Sequence, residues 1–342
     1  MEIDAYLKAL GATDEQIAEA RRQSHLAGLA GDLVLARGAT LTARDMAERS
    51  GTTVLDVLAM WRTMGVAVPD EDRVMFSEDD AEFNDFLVQA NPVGTHGGEL
   101  LRVLGSSLSR VAEAAVAVYV QTQEPDLDAP GLDVLAWAKG QATVNAAALR
   151  LGASMGAVFA HQMRDAIDRQ RAAQAEVSDR SLHRLAVGFV DLVGFTPYSL
   201  HTSPTSLLEV IGEFEGRAFE VATAHGGRIV KHIGDEVMFV APDAGAGCAI
   251  ARDITASSGT GIEPRGGVCF GDVITRHGDY YGPVVNLASR LADLAVPGEV
   301  LVDADTARSA ADAFGFREAG RRQLKGFDEL VDVHSVGAAV PG

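Results

Sequence analysis

Two apolar runs in the C-terminal half of this chain are edged by aspartate. Residues 185–190 lead into Asp191, and Asp235, in Lys231-His232-Ile233-Gly234-Asp235-Glu236, stands just before residues 237–240. Short continuous apolar runs of this kind read as buried strands. A carboxylate at the edge of a buried strand is costly unless something pairs with it. Two of them on neighbouring strands make a place for hard divalent cations, which prefer oxygen ligands. Gly194 follows Asp191 by three residues. Without a side chain, its backbone can approach a phosphate closely.

A third segment adds to this pair. Gly271-Asp272 ends another apolar strand, and Asp279-Tyr280-Tyr281-Gly282-Pro283-Val284-Val285-Asn286-Leu287-Ala288-Ser289-Arg290 follows. Pro283 fits the first turn of a helix. Asn286 and Arg290, four apart, then share one face. An amide and a guanidinium beside an acidic metal site suit a nucleoside triphosphate. Between these segments, Leu207, Val210, Ile211, Phe214, Ala218 and Val221 recur at helical spacing, and 243–256 forms a second helix. The resulting order βαββαβ is that of a ferredoxin-like α+β domain.

The N-terminal half reads as all-helical, with Asp4, Thr13 and Thr42 as helix caps. Residues 42–64 have the form of a helix-turn-helix. The start of its second helix offers Thr52, Thr53 and Asp56, with no lysine or arginine to meet phosphates or guanine edges. A packing motif is therefore expected there. The acidic turns at 69–72 and 77–80 lack the twelve-residue calcium-loop pattern and read as solvated loops. Residues 97–122 and 131–160 are expected to be long buried helices, and 157–181 a continuous charged helix joining the two halves. Unlike a Gly/Ser linker, a helical connector can transmit rotation or register.

The net charge of −19 is shared between the halves, so neither has the basic footprint of a nucleic-acid or anionic-membrane protein. No positively charged leader and no run of about 18 uncharged apolar residues is evident. Cys248 and Cys269 lie in apolar surroundings as buried thiols, which fits a reducing compartment. A cytoplasmic protein without membrane insertion is the expectation.

Together these segments resemble the catalytic domain of class III nucleotidyl cyclases, over about residues 183–337. The N-terminal half resembles the helical regulatory domain of some actinobacterial adenylate cyclases. That likeness rests on Trp61-Arg62-Thr63-Met64-Gly65, the acidic loop, Phe76-Ser77-Glu78-Asp79-Asp80 and the domain order. The resemblance implies a ferredoxin-like catalytic domain (183–342), an all-α regulatory domain (1–156) and a connector (157–182). It implies conversion of ATP to 3′,5′-cyclic AMP and pyrophosphate with two Mg²⁺ or Mn²⁺ ions. Asp191, Asp235 and the carbonyl of Leu192 would hold the metals. Amides near Gly194, Phe195 and Thr196, and the Lys325 side chain, would hold phosphate. Arg290 would stabilise the transition state and Asn286 would orient the ribose. Lys231 and Asp279 would read adenine, one donating to N1 and the other accepting from the 6-amino group. The resemblance further implies a homodimer with its sites between chains. The metal carboxylates and Lys231 are then expected from one chain, and Asp279, Asn286 and Arg290 at least partly from its partner. A guanylate cyclase, a catalytically silent cyclase-like sensor and a transcription regulator are the alternatives. The N-terminal half is expected to answer to a small ligand or to a proton, the latter through His96, His161 or His183.

Overall fold

The computed structural model describes residues 2–90, 97–123, 133–174, 182–256 and 261–340. The chain divides into two compact units, Met1–His161 and Gln162–Gly342.

The first unit is helical: α1 (Glu2–Ala9), α2 (Asp14–Arg22), α3 (Gly28–Leu35), α4 (Ala43–Ser50), α5 (Val54–Thr63), α6 (Glu78–Gln89), α7 (Gly97–Gln123) and the start of α8 (Val134–Gln174). Thr13, Thr42, Thr53 and Ser77 each close a capping box with the residue three positions on. Such caps satisfy amides that the first helical turn leaves unpaired. Asp4 is not a cap; it lies inside α1, because the helix starts two residues earlier. Gly51, in the left-handed region, ends α4 and separates it from α5. The acidic turn is held by arginine: Arg44 pairs with Glu71 and, at 3.0 Å, with Asp72.

Two cores form in this unit. Met46, Val57, Trp61, Phe76 and Leu101 make one. Leu7, Ile17, Ala30, Ala138 and Ala142 make the other. The expectation of buried long helices is corrected here. Residues 116–120 and 142–160 are helical, but Val116, Val118, Leu149, Leu151, Val158 and Phe159 are exposed. The shorter helices cover α7 near Leu101 and α8 near Ala138 and Ala142, and within this unit they cover little beyond. By length and composition alone, Gly98–Val120 of α7 is apolar enough to cross a membrane, although charged residues interrupt it. The expected connector is helical as far as Gln174, as the end of α8. Residues 175–181 lie outside the described residues, as does His96. His161 is exposed.

The second unit holds β1 (Leu182–Leu192), α9 (Phe195–His201), α10 (Pro204–Ala224), β2 (Arg228–Ile233), β3 (Glu236–Ala241), α11 (Ala244–Thr255) and β4 (Pro264–Arg276). There follow β5 (Asp279–Tyr281), α12 (Pro283–Leu294), β6 (Val300–Asp303), α13 (Ala304–Ser309), β7 (Phe314–Arg322) and β8 (Val331–Ala339). The sheet runs β2-β3-β1-β4-β6-β8-β7, with β5 on β4. Its first four strands are antiparallel in the ferredoxin-like order. The β6-β8-β7 extension, entered by a parallel β4–β6 pairing, was not foreseen from the sequence.

Strand β1 is buried on both faces, so its apolar run is continuous rather than alternating. Ala186 and Val190 meet Phe214, Phe239 and Ile250 on one side. Val187 and Phe189 meet Met238, Cys269 and Leu291 on the other. Cys248 and Cys269 are both free and buried, as expected.

Candidate active site

The end of β1 and the β2–β3 turn create the acidic centre. Asp191 lies opposite Glu236 on β3 and opposite Arg265 on β4. The backbone amide of Leu192 donates to the carbonyl of Asp235 at 3.3 Å, tying the turn to the end of β1. Gly234, at φ 66°, makes that turn. Asp191 and Asp235, distant in sequence, are thereby brought together.

Arg265 donates to Asp191 Oδ2 through Nε (3.2 Å) and Nη2 (3.0 Å). Its Nη1 donates to the carbonyl of Asp293 at 2.6 Å. Sequence reasoning passed over this arginine. The available signal was a cation entering an apolar strand, and only the register revealed its partner. Burial raises the Asp191 carboxyl; Arg265 opposes that shift and Asp235 adds to it. Glu236 is pushed up to about 7, first by burial and then by the charges of Asp191, Asp293 and Asp235. Four carboxyl groups, Asp191, Asp235, Glu236 and Asp293, thus act on one another in a partly dehydrated corner where Arg265 pairs with Asp191. That excess of negative charge fits a hard divalent cation. No group of three or more carboxylate, imidazole or thiolate side chains among the described residues is arranged to hold a metal. A cation here would take part of its coordination from backbone or substrate oxygen, for which the Leu192 carbonyl is the candidate.

Gly194, at φ 77°, precedes α9, and the first-turn amides of Phe195 and Thr196 have no helical acceptor. Thr196 is exposed.

Lys231 on β2 and Asp279 on β5 form an ion pair within one chain, both partly buried. The two base-reading candidates, expected from different chains, thus lie together within one. The β4–β5 hairpin folds Asp279 back to β2.

Asn286 and Arg290 lie on α12, on the side away from Ala288, Leu291 and Ala292, which pack on the sheet. The height of α12 is set by Gly267. A Cβ there would stand 2.3 Å from the amide nitrogen of Ala292 and 2.4 Å from the carbonyl oxygen of Ala288. Among the described residues, Arg290 pairs with Asp293 alone, at 2.9 Å, and reaches neither Asp191 nor Asp235. Lys325 is exposed on the β7–β8 loop, between buried Leu324 and Gly326 at φ 90°. The structure therefore assembles Asp191, Asp235 and Leu192 in one group and Lys231 with Asp279 in another. It leaves Asn286, Arg290 and Lys325 open to solvent or to another molecule.

The model of the adenylate and guanylate cyclase catalytic domain matches residues 248–335. An adenylate cyclase of Streptomyces coelicolor is 32% identical over 286 residues, covering 79% of this chain and 72% of its own. A pH-sensitive adenylate cyclase of Mycobacterium tuberculosis is 30% identical over 307 residues, covering 84% and 76%. An uncharacterised protein of M. tuberculosis is 32% identical over 334 residues, covering 95% and 87%. The chain belongs to the adenylate and guanylate cyclase family.

Proposed function

We propose that this protein is an adenylate cyclase, converting ATP to 3′,5′-cyclic AMP and pyrophosphate in a homodimer. One observation carries the choice of base: Lys231 and Asp279 stand side to side as a donor and an acceptor. Adenine presents an acceptor at N1 and a donor at its 6-amino group, so it can insert between them. Guanine reverses that edge and would leave both partly buried groups unpaired. The names of the S. coelicolor and M. tuberculosis relatives support the same reading.

Asp191 and Asp235, with the Leu192 carbonyl, would hold Mg²⁺ or Mn²⁺. When bound, a pair of such ions stabilises the attacking and leaving oxygens of an in-line displacement. The chain supplies the rest. Gly194 and the amides of Phe195 and Thr196 receive the triphosphate tail, and the exposed Lys325 adds a positive charge to it. Asn286 orients the ribose so that its 3′ oxygen faces the α-phosphorus, a proximity contribution. Arg290 stabilises charge that develops only at the transition state. Because Arg290 does not reach the carboxylates of its own chain, a second copy of this chain is the natural source of the arginine for each site.

The N-terminal helical unit is proposed to regulate the catalytic one through 157–182. Support comes from α8, which is unbroken to Gln174, and from the lack of any matching catalytic motif before residue 182.

The test is purified protein with ATP or GTP in Mg²⁺ or Mn²⁺, reading the cyclic product. Cyclic AMP from ATP, with GTP poorly used, is expected. Lys231→Glu with Asp279→Cys should move preference toward GTP. Mixing Asp191→Ala protein with Arg290→Ala protein should restore turnover. Absence of recovery despite subunit exchange refutes the shared site.

A further inference from the structure

The pairing of Lys231 with Asp279 depends on where β5 is held, and β5 is only three residues long. It is joined to β4 by two residues, His277 and Gly278, with Arg276 opposite Asp279. Both loop residues have positive φ, 57° and 76°. That is the signature of a tight primed hairpin turn, and a non-glycine residue in this region carries strain. Asp279 is the first residue after the turn, so any relaxation of the turn moves its carboxylate.

Arg228 grips this turn from β2. Its Nη2 donates to the carbonyl of Gly278 at 3.1 Å and to the hydroxyl of Tyr280 at 3.2 Å. Its guanidinium stands 5.5 Å from the centre of the Tyr280 ring. The residues immediately before and after Asp279 are therefore both held by one side chain. Arg228 lies on the same strand as Lys231, with a register shift between Ile229 and Lys231. One short strand thus carries both the donor of the base-reading pair and the anchor of its acceptor.

We propose that Arg228 is a positioning residue for base selection, holding Asp279 at the height at which adenine fits between it and Lys231. The proposal rests on the adenine reading given above. In the free protein, Lys231 itself helps to hold Asp279. Once a base inserts, that direct pair opens. Two anchors then still hold it: the Tyr280 amide, which donates to Asp279 Oδ1 at 2.9 Å, and the Arg228 grip on its neighbours. Lysine at 228 would keep the charge but lose the planar fork and the flat stacking.

The experiment compares Arg228→Ala, Arg228→Lys and Tyr280→Phe in the full chain. It reads kcat and KM with ATP and with GTP, and thermal stability. Arg228→Ala should raise KM for ATP about tenfold and lower the ATP-over-GTP ratio of kcat/KM about tenfold, while kcat changes less than about threefold. Arg228→Lys should recover less than half of that selectivity, and Tyr280→Phe should fall between it and wild type. An unchanged ATP-over-GTP ratio in Arg228→Ala overturns the proposal. Equal losses for ATP and GTP with a lowered melting temperature also overturn it, since they mark a purely structural role. If Arg228→Ala does not fold, unchanged selectivity in both Arg228→Lys and Tyr280→Phe is the overturning result. Failure of the underlying reading looks different: Asp279→Cys would then also leave base preference unchanged.

Discussion

Two glycine sites, Gly267 in the sheet unit and the Gly152–Gly156 stretch of α8, use the residue in opposite ways. In the sheet unit, Gly267 stands under α12, where a single added carbon would meet helix backbone from two sides. In α8 of the helical unit, Gly152 and Gly156 have nothing within 4 Å of an added Cβ. The first glycine sets a distance between two layers. The other two weaken a helix without packing against anything. The sheet is covered on both faces by its own helices, whereas much of α7 and α8 exposes valine, leucine and phenylalanine. Close contact thus fixes the height of α12, whereas the stretch of α8 around Gly152 and Gly156 carries no such constraint.

The largest effect should come from the acidic centre. Asp191→Ala or Asp235→Ala should lower cyclic product formation by more than about a hundredfold while the protein stays folded and of unchanged oligomeric state. Retention of a tenth of wild-type turnover would remove the metal assignment.

Gly267→Ala tests the close-packed side of the comparison. Overfilling the β4–α12 contact should cost about 1–3 kcal/mol of stability and reduce turnover by shifting Asn286 and Arg290. Chemical denaturation and initial rates would show it. A neutral Gly267→Ala would mean that α12 is not seated as described.

Next comes the pH dependence of Glu236, whose carboxyl titrates at about 7 in the folded chain against 4.5 ordinarily. Between these values the folded state keeps a proton that the unfolded chain has released. Its contribution to stability is therefore complete below about 4.5, declines as pH rises through the window, and is gone above about 7. Without divalent cations, wild-type melting temperature should fall relative to Glu236→Gln as pH rises from 4.5 to 7.5. Parallel profiles for the two proteins would contradict the burial of this carboxyl.

The smallest effect tests the open side. Gly152→Ala and Gly156→Ala should each stabilise the protein by about 0.5–1 kcal/mol, because the helix gains at no steric cost. A loss instead would reveal that another surface occupies the space beside α8.

Much of the catalytic half was legible because its signals are local. The apolar runs around Asp191 and Asp235 each announce a strand, and Pro283 announces a helix. Thr13 and Thr42 were readable for the same reason, since a capping box spans four residues. What stayed hidden depends on pairing across long separations. Arg265 acquires meaning only through its register with Asp191, 74 positions away. The placement of Lys231 and Asp279 in one chain, 48 positions apart, needed the β4–β5 hairpin to be seen. The exposure of Val116 and Phe159 was misread because apolar composition predicts a wish for burial and cannot name the surface that provides it.

The seating of α12 on Gly267 also bears on how such a site can change over evolutionary time. The inward side of the helix touches β4 backbone through a glycine and small residues, so it tolerates almost no variation in volume. The outward side, with Asn286 and Arg290, carries no such restriction, and substitutions there leave the layers undisturbed. The fold can therefore outlive its chemistry: substitutions at Asn286 or Arg290 would silence the proposed site while the layers beneath stay packed.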